Sequence, residues 1–338
     1  MRPLSQPISA VVLAVLAIVA AAAAVGSASS ESPDPEGLRV TGSFDVALPP
    51  QPAQIAAASN RAIYLVDLAA SRVVAYSSVG KRLWDKDFLA LGARRSLVAV
   101  AVDGLERVFV LDARQRVVHR LTQDGRVEGT LPLPDTELSY SFQPFRAMAA
   151  DGAGGAYVLS GGRARGIYHV RADGTSALTL APPVEMDQPG ERLDFGGLVR
   201  SPDGMLLWRP AGRPHLERLD EAGRAMGTVA LSVVPFDSTD PDPGMRDGIF
   251  ATDAIAGGRF ITQVVQRDRF SSPEGTPGVV YRRRLYVFDA DGRLERAIIP
   301  GGLGLFIAAA PDGTLYFSTT TRGLHGITTP RVFTAVLD

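Results

Sequence analysis

Arg95, Arg146 and Arg200 are the side chains whose type and spacing point most directly to chemistry. They fall at or just inside the start of three successive copies of a small-residue strand, with Phe145 and Phe195 beside them. A guanidinium is a planar fork of five N–H donors that stays charged, so three around one axis would bind a carboxylate, a phosphate or an acidic glycan. Each arginine can equally pair with a neighbouring carboxylate and serve structure alone. A second chemical candidate is PFDSTDPDPGMRDGIFATD, which gathers Asp237, Asp240, Asp242, Asp247 and Asp253 and raises Ca2+ as a ligand. It lacks the spaced Asp/Asn, Gly and Glu of a calcium loop, and Pro241 and Pro243 stiffen it, so it reads as a solvated acidic loop.

Other constellations are weaker. Asp289-Ala290-Asp291-Gly292 has the composition of a tight turn. His119, His169 and His215 lie at different distances before their turn glycines, and His325 sits in a loop, so the four do not form a ligand set. The sequence contains no H-E-x-x-H, G-x-S-x-G, G-x-x-x-x-G-K-[ST] or H-x-x-E-H motif. Gly-Ala-Gly-Gly at 152–155 has no helix after it to complete a phosphate cradle. No catalytic residue, metal ligand or cofactor is therefore predicted.

Composition narrows the classes further. The absence of cysteine removes disulfide frameworks, Cys-ligated metals and thiol nucleophiles. A net charge of −1 gives no electrostatic footprint for nucleic acid. Lys81 and Lys86 are the only lysines among 35 basic residues, a skew that reads as codon bias and lowers the weight of the arginine excess. The 35 glycines and 24 prolines accompany 46% hydrophobic residues, which implies many turns within a folded protein.

Residues 1–28 have the grammar of an export signal: Arg2, an apolar run from Ile8 to Val25 expected to be helical, and Gly26-Ser27-Ala28 before Ser29. If uncut, 8–25 reaches the lower limit of a bilayer span and would anchor the protein in the inner membrane. Either outcome places the remainder outside the cytoplasm, periplasmic or secreted, after a polar linker at 29–37.

The elements that must position these residues are strands. After residue 37 the chain shows short alternating or β-branched runs closed by turn residues, and no sustained helical period. A small-residue strand recurs as IAAAS, VAVAVDG, AMAADG, LVRSPDG, the degenerate DAIAGG, and IAAAPDG. A bulkier strand follows each, and third strands end at Gly80, Gly125, Gly174, Gly223 and Gly292. Residues 38–338 thus divide into six units of roughly 50 residues. The expected fold is all-β, a six-bladed β-propeller of four-stranded antiparallel blades. Its last copy supplies only three strands, so LRVTGSFDVAL (38–48) is expected to complete the last blade and close the ring.

The stretch LPPQPAQIAAASNRAIYLVDLAASRVVAYSSVGK resembles an NHL-type repeat: a proline before the first strand, then IA, IY, Asp67, Arg72-Val73, Tyr76 and Gly80. VFVLDARQRVVHRLTQDGR is similar, with one extra residue before its turn. The resemblance implies the NHL-like or TolB-like six-bladed superfold, which hosts binding modules, hydrolases and lyases and so selects no activity. Amidating lyases of this kind use channel histidines on a metal. Here the three strand histidines occupy outer strands at non-equivalent positions.

Every long connection, 134–145, 181–197, 232–252, 266–279 and 321–330, follows a second or fourth strand and therefore emerges on one face. The functional expectation is an exported, non-catalytic propeller that binds a protein or glycan through that face. The alternative is a metal-dependent lactonase or lyase with its site in the central channel. An enzyme of that type is expected to carry carboxylate and amide ligands on inner strands, whereas these are rich in Ala and Val and the single asparagine is Asn60. No nucleic-acid partner is expected, and membrane contact only through 8–25.

Overall fold

The computed structural model describes residues 37–46, 54–67, 70–93, 96–134, 145–160, 166–180, 197–201, 204–209, 215–220, 222–230, 248–255, 257–271, 277–322 and 328–338. The expected signal or anchor (1–28) and most of the expected linker (29–37) lie outside them. Among the described residues, twenty-four strands form six four-stranded antiparallel sheets. Blade 1 contains β2 (Gln54–Ala57), β3 (Ile63–Asp67), β4 (Arg72–Tyr76) and β5 (Arg82–Asp87), and blade 2 contains β6 (Leu97–Val102), β7 (Val108–Asp112), β8 (Val117–Leu121) and β9 (Val127–Pro132). Blade 3 is β10 (Phe145–Ala150), β11 (Ala156–Ser160), β12 (Gly166–Val170) and β13 (Ser176–Leu180). Blade 4 is β14 (Gly197–Arg200), β15 (Leu206–Arg209), β16 (His215–Leu219) and β17 (Ala225–Ala230). Blade 5 runs through β18 (Gly248–Ala254), β19 (Phe260–Ser271), β20 (Pro277–Phe288) and β21 (Leu294–Ile298). Blade 6 joins β22 (Leu305–Ala309), β23 (Leu315–Arg322) and β24 (Thr328–Leu337) to the first strand of the chain, β1 (Leu38–Asp45).

β1 pairs with β24 from Leu38↔Leu337 to Asp45↔Arg331, so the two ends of the propeller are knitted into one blade. Consecutive first strands touch all the way round, including β2 against β22, which closes the inner ring. The core consists of six hydrophobic layers, each between two adjacent blades. The layer between blades 1 and 2 joins Tyr64, Val66 and Val73 to Val100, Val108 and Val110. That between blades 5 and 6 joins Ile261, Leu285 and Val287 to Phe306, Leu315 and Phe317. Because every blade is covered on both sides, second strands such as β3, β7 and β11 are buried at every position and read as continuous apolar runs.

The third-turn glycines do more than supply positive φ. Gly80, Gly125, Gly174, Gly223 and Gly292 face Phe44, Trp84, Pro132, Thr179 and Val229, each on the outermost strand of the preceding blade. At four of the five, a Cβ would come within 2.8 Å of its neighbour. The aspartates that end the second strands of blades 1 and 2 are turn braces: Asp67 accepts from the Ala70 amide at 2.9 Å, and Asp112 from the Arg114 and Gln115 amides at 3.1 and 2.9 Å. Asp289 is likewise a turn residue, accepting from the Asp291 and Arg293 amides.

Two expected loops, 266–279 and 321–330, are in part strand. β19 and β20 pair from Phe260↔Phe288 out to Ser271↔Pro277, yet β18 reaches only Val265 and β21 only Leu285. Beyond those points β19 and β20 continue as a two-stranded ribbon, leaving only 272–276 between them. β23 and β24 do the same beyond their neighbours, pairing out to Arg322↔Thr328. Ser, Pro and Gly near the ribbon tip give 266–279 the look of a loop, but the Val279-Val280-Tyr281 run favours a strand and extends the hairpin.

Candidate functional site

Aligning the blades on their first tight turns exposes two departures from an otherwise small and apolar inner wall. The residues immediately before these turns are Ala57, Val102, Ala150, Arg200, Ala254 and Ala309, and one position earlier they are Ala56, Ala101, Ala149, Val199, Asp253 and Ala308. Arg200 and Asp253 are the charged members of these two rings.

Arg200 pairs with Leu206 at the last position of β14, next to the first tight turn of blade 4. Its guanidinium lies on Gly152, where a Cβ would stand 2.7 Å from Arg200 Nη1. Gly152 also has φ +80, and it is this backbone conformation that favours glycine there. The β10–β11 turn that carries it is held from blade 2 as well. Arg107 Nη2 donates to the Gly152 carbonyl at 3.3 Å, and Arg120 Nη1 to that of Gly154 at 3.2 Å. Arg107 is itself fixed by Asp103, whose carboxylate is 2.6 Å away.

Asp151 opens the same turn. Its Oδ1 accepts from the Ala153 and Gly155 amides at 2.7 and 2.8 Å, and its Oδ2 lies 2.9 Å from His169 Nε2. Burial pushes this carboxyl up, but the His169 hydrogen bond and the two amides outweigh it and hold it below the usual carboxylate range. An ionised Asp151 only accepts, so His169 Nε2 carries the hydrogen between them. His169 stands opposite Tyr157 in the β11–β12 register, and their rings stack at 4.4 Å with planes 21° apart. Gly104 and Leu105 from blade 2, Asp151, Gly152, Ala153, Tyr157 and His169 from blade 3, and Arg200 from blade 4 surround an open depression of about 590 Å³. Since the turns that build it follow first strands, it opens on the face of the short turns, opposite the long connections.

Asp253 lies on β18, between the inner strands of blades 5 and 6. Its Oδ1 accepts from the Ala254 amide at 2.8 Å and its Oδ2 from the Ala309 amide at 2.7 Å. Burial pushes the carboxyl up to about 6 despite those donors. Assigning Asp253 to a solvated acidic loop is therefore corrected: GIFATDA is the inner strand of its blade, and the loop ends before it. Asp237, Asp240, Asp242 and Asp247 lie outside the described residues.

The predicted arginine set separates. Arg95 and Phe195 lie outside the described residues. Phe145 and Arg146 start β10, where the backbone bulges between Phe145 and Ala147, and their side chains are not among those described. Arg200 is at the opposite, turn end of its strand. Among the described residues, no group of three or more His, Asp or Glu is arranged to hold a metal ion. His119, His169 and His215 fall on the third strands β8, β12 and β16. Sequence reasoning missed the Asp151–His169 pair. The available signal was register: five residues before its turn glycine, a third-strand side chain stands one place from the start of the second strand and near the first turn.

No family model and no curated protein matches the sequence. The fold does match solved structures. A member of the DUF4221 family from Bacteroides vulgatus superimposes with a TM-score of 0.58 at 10% identity, over 90% of this chain and 98% of that one. A catalytically inactive variant of virginiamycin B lyase from Staphylococcus aureus, solved with quinupristin, gives 0.53 at 10% identity over 89% of this chain and 100% of that one. A gluconolactonase from Xanthomonas campestris gives 0.50 at 14% identity, over 92% and 99%. At these identities the likeness concerns the six-bladed fold alone.

Proposed function

We propose that this chain is an exported, non-catalytic β-propeller that binds a protein or glycan partner through the face of its long connections. The observation that carries the reading is the pair of ribbons, β19–β20 and β23–β24, that continue past the sheets of blades 5 and 6 on that face. A rigid ring with projecting two-stranded arms offers partners a fixed platform, and connections on such scaffolds are where binding residues concentrate. Phe145 and Arg146 open the inner strand of blade 3, and both are retained as candidate contacts together with Arg95 and Phe195. Ca2+ remains a candidate ligand of 237–247 without a supporting motif.

The test joins Val265 to Arg283 through an Asn-Gly turn, which removes the β19–β20 arm while leaving the four-stranded blade intact. Glycan arrays and in-cell crosslinking are then compared with the native chain. Loss of the native ligand with an unchanged unfolding profile supports the reading, and an unchanged ligand profile overturns it. Export is checked by the mass of the mature chain, expected to begin at Ser29 if the signal is cut.

A channel enzyme of the lactonase or lyase type is the second reading, favoured by one observation: Asp253 places a carboxyl of raised pKa in the inner wall. The lyase and gluconolactonase structures share the fold that such a site would use. Stoichiometric Ca2+ or Zn2+ in the purified protein, together with lactone turnover abolished by Asp253→Ala, would favour this reading over binding alone.

A further inference from the structure

On the reading that the long-connection face binds a partner, on which this assignment rests, we infer that the cleft between blades 5 and 6, at the base of the two arms, takes the carboxylate of a polypeptide through Arg283 and Gln263. Arg283 stands opposite Val265, the last residue of β19 that β18 reaches, so it marks the level at which the blade gives way to its arm. Two residues further along β20, Leu285 stands opposite Gln263 and packs in the hydrophobic layer shared with blade 6. Side chains alternate along a strand, so Arg283, Leu285 and Gln263 face blade 6 together. Arg283 is then the diagonal neighbour of Gln263 across the β19–β20 ladder, within reach of a long side chain.

Both polar side chains have unspent capacity. Arg283 is half-buried, and no hydrogen bond or ion pair holds it among the described residues. Burial pushes its pKa down, and no carboxylate among the described residues opposes that shift. Gln263 is wholly buried, and neither its Nε2 nor its Oε1 has a hydrogen-bond partner among the described residues. An unpaired buried amide costs free energy, so a ligand that supplies its partners recovers that cost on binding. Across the cleft, Phe333 packs on the same layer, which turns Arg331, two residues before it on β24, towards blade 5. Arg331 is already neutralised by Asp45 at 2.9 Å. Of the two arginines, Arg283 alone therefore lacks a counter-charge among the described residues, a balance that one carboxylate restores and a phosphate dianion overshoots. Sheets packed face to face stand about 10 Å apart, so a carboxylate on the slender stem of an acidic side chain, or at a chain end, can enter between the blades. A uronate carries its carboxylate directly on the sugar ring, and the ring would have to follow it. Once inside, the carboxylate accepts from the guanidinium fork and from the Gln263 amide, while Oε1 accepts a peptide N–H.

The carboxylate can belong to an acidic side chain or to a chain terminus, and the experiment separates these. N-acetylglutamate α-amide, N-acetylalanine, the neutral N-acetylglutamine α-amide and glucuronate are titrated into the full chain by NMR, with calorimetry as a second readout. Both peptide acids are expected to bind saturably and about tenfold more tightly than the neutral amide, as a charge-assisted hydrogen bond implies. Tighter binding of the glutamate derivative identifies an acidic side chain as the natural group, and tighter binding of N-acetylalanine identifies a chain terminus. Arg283→Gln removes a half-buried charge that has no counter-ion, so it should fold at least as well as the native chain. It should weaken both acids by about tenfold. If it does not fold, Arg283→Lys keeps the charge without the planar fork and should weaken them by about threefold. Absence of saturable binding by both acids up to about 20 mM overturns the proposal. So does equal binding of the neutral amide, tighter binding of glucuronate than of either peptide acid, or unchanged affinity in the arginine variant that folds. Native ligand lost with the β19–β20 arm while the probes ignore Arg283 sinks this assignment and leaves the reading of the face standing. Arg283-dependent probe binding in a chain whose ligand profile ignores the arm does the reverse.

Discussion

Gly80 lies directly against Phe44: a Cβ on the glycine would stand 2.3 Å from the Phe44 Cβ. Phe44 is on β1, the strand that completes blade 6, and Gly80 is on the β4–β5 turn of blade 1. Their contact is therefore part of the seam where the propeller closes.

Gly80→Ala should strain that seam. Gly80 and Gly257 have nearly identical φ values, +78 and +79, but Gly257 has nothing within 4 Å of its Cβ position among the described residues. Alanine at either site costs about 1 kcal/mol for a left-handed backbone. At Gly80 the overlap with Phe44 adds about 1–3 kcal/mol. Urea unfolding should find Gly80→Ala clearly less stable than Gly257→Ala, and equal losses would mean that the seam yields without cost.

Asp253 predicts an unusual pH dependence. Its carboxyl sits at about 6 in the folded protein, against an unfolded value near ~3.9. The folded state thus binds the proton more tightly, so this group's stabilising contribution is full below about pH 4 and is lost as pH rises through about 6. The loss is on the order of 2–3 kcal/mol. Asp253→Ala, which installs the residue found at this place in four other blades, should remove that slope. Chemical denaturation of both proteins at several pH values between 4 and 7 measures it. Parallel curves would show that the carboxyl titrates normally.

His119 predicts the opposite sign. It is buried beside the Phe88 ring at 5.1 Å, and neither ring nitrogen has a hydrogen-bond partner among the described residues. Burial pushes its pKa down, opposed by the Asp112 carboxylate. The unfolded chain takes up the proton that the folded chain refuses, so stability falls as pH drops through about 6.5. His119→Leu removes two buried unpaired nitrogens and should raise stability by about 1 kcal/mol at neutral pH. It should also flatten the acid slope between pH 7 and 5. A destabilised variant with the native slope would contradict the assignment.

The propeller was legible because its signals are local and repeated. Small first strands, bulky second strands and turn glycines recur six times or nearly so, and the last copy visibly lacks a strand that 38–48 supplies. The ribbons were less legible because Ser, Pro and Gly near the tip of 266–279 mark a turn equally well at either length of hairpin. Arg200 was assigned to the wrong end of its strand for a simple reason: β14 has only four residues, so entry and exit are three positions apart. The Asp151–His169 pair depends on the β11–β12 register and on a turn folding back beneath it, neither of which the spacing of 18 residues reveals.

That pair supplies the last prediction. Asp151 accepts three hydrogen bonds, from Ala153, Gly155 and His169, and its pKa is held below the usual range. Asp151→Ala removes the carboxylate that accepts all three bonds and should cost about 2–3 kcal/mol at neutral pH. Because the folded pKa is depressed, this stabilisation is present above the unfolded value near ~3.9 and disappears as pH falls through the folded value. The difference between native and variant should therefore shrink towards pH 3. His169→Phe breaks only one of the three bonds and should cost less, while leaving the turn closed by the two amides. If Asp151→Ala were no more harmful than His169→Phe, the turn would not depend on its carboxylate.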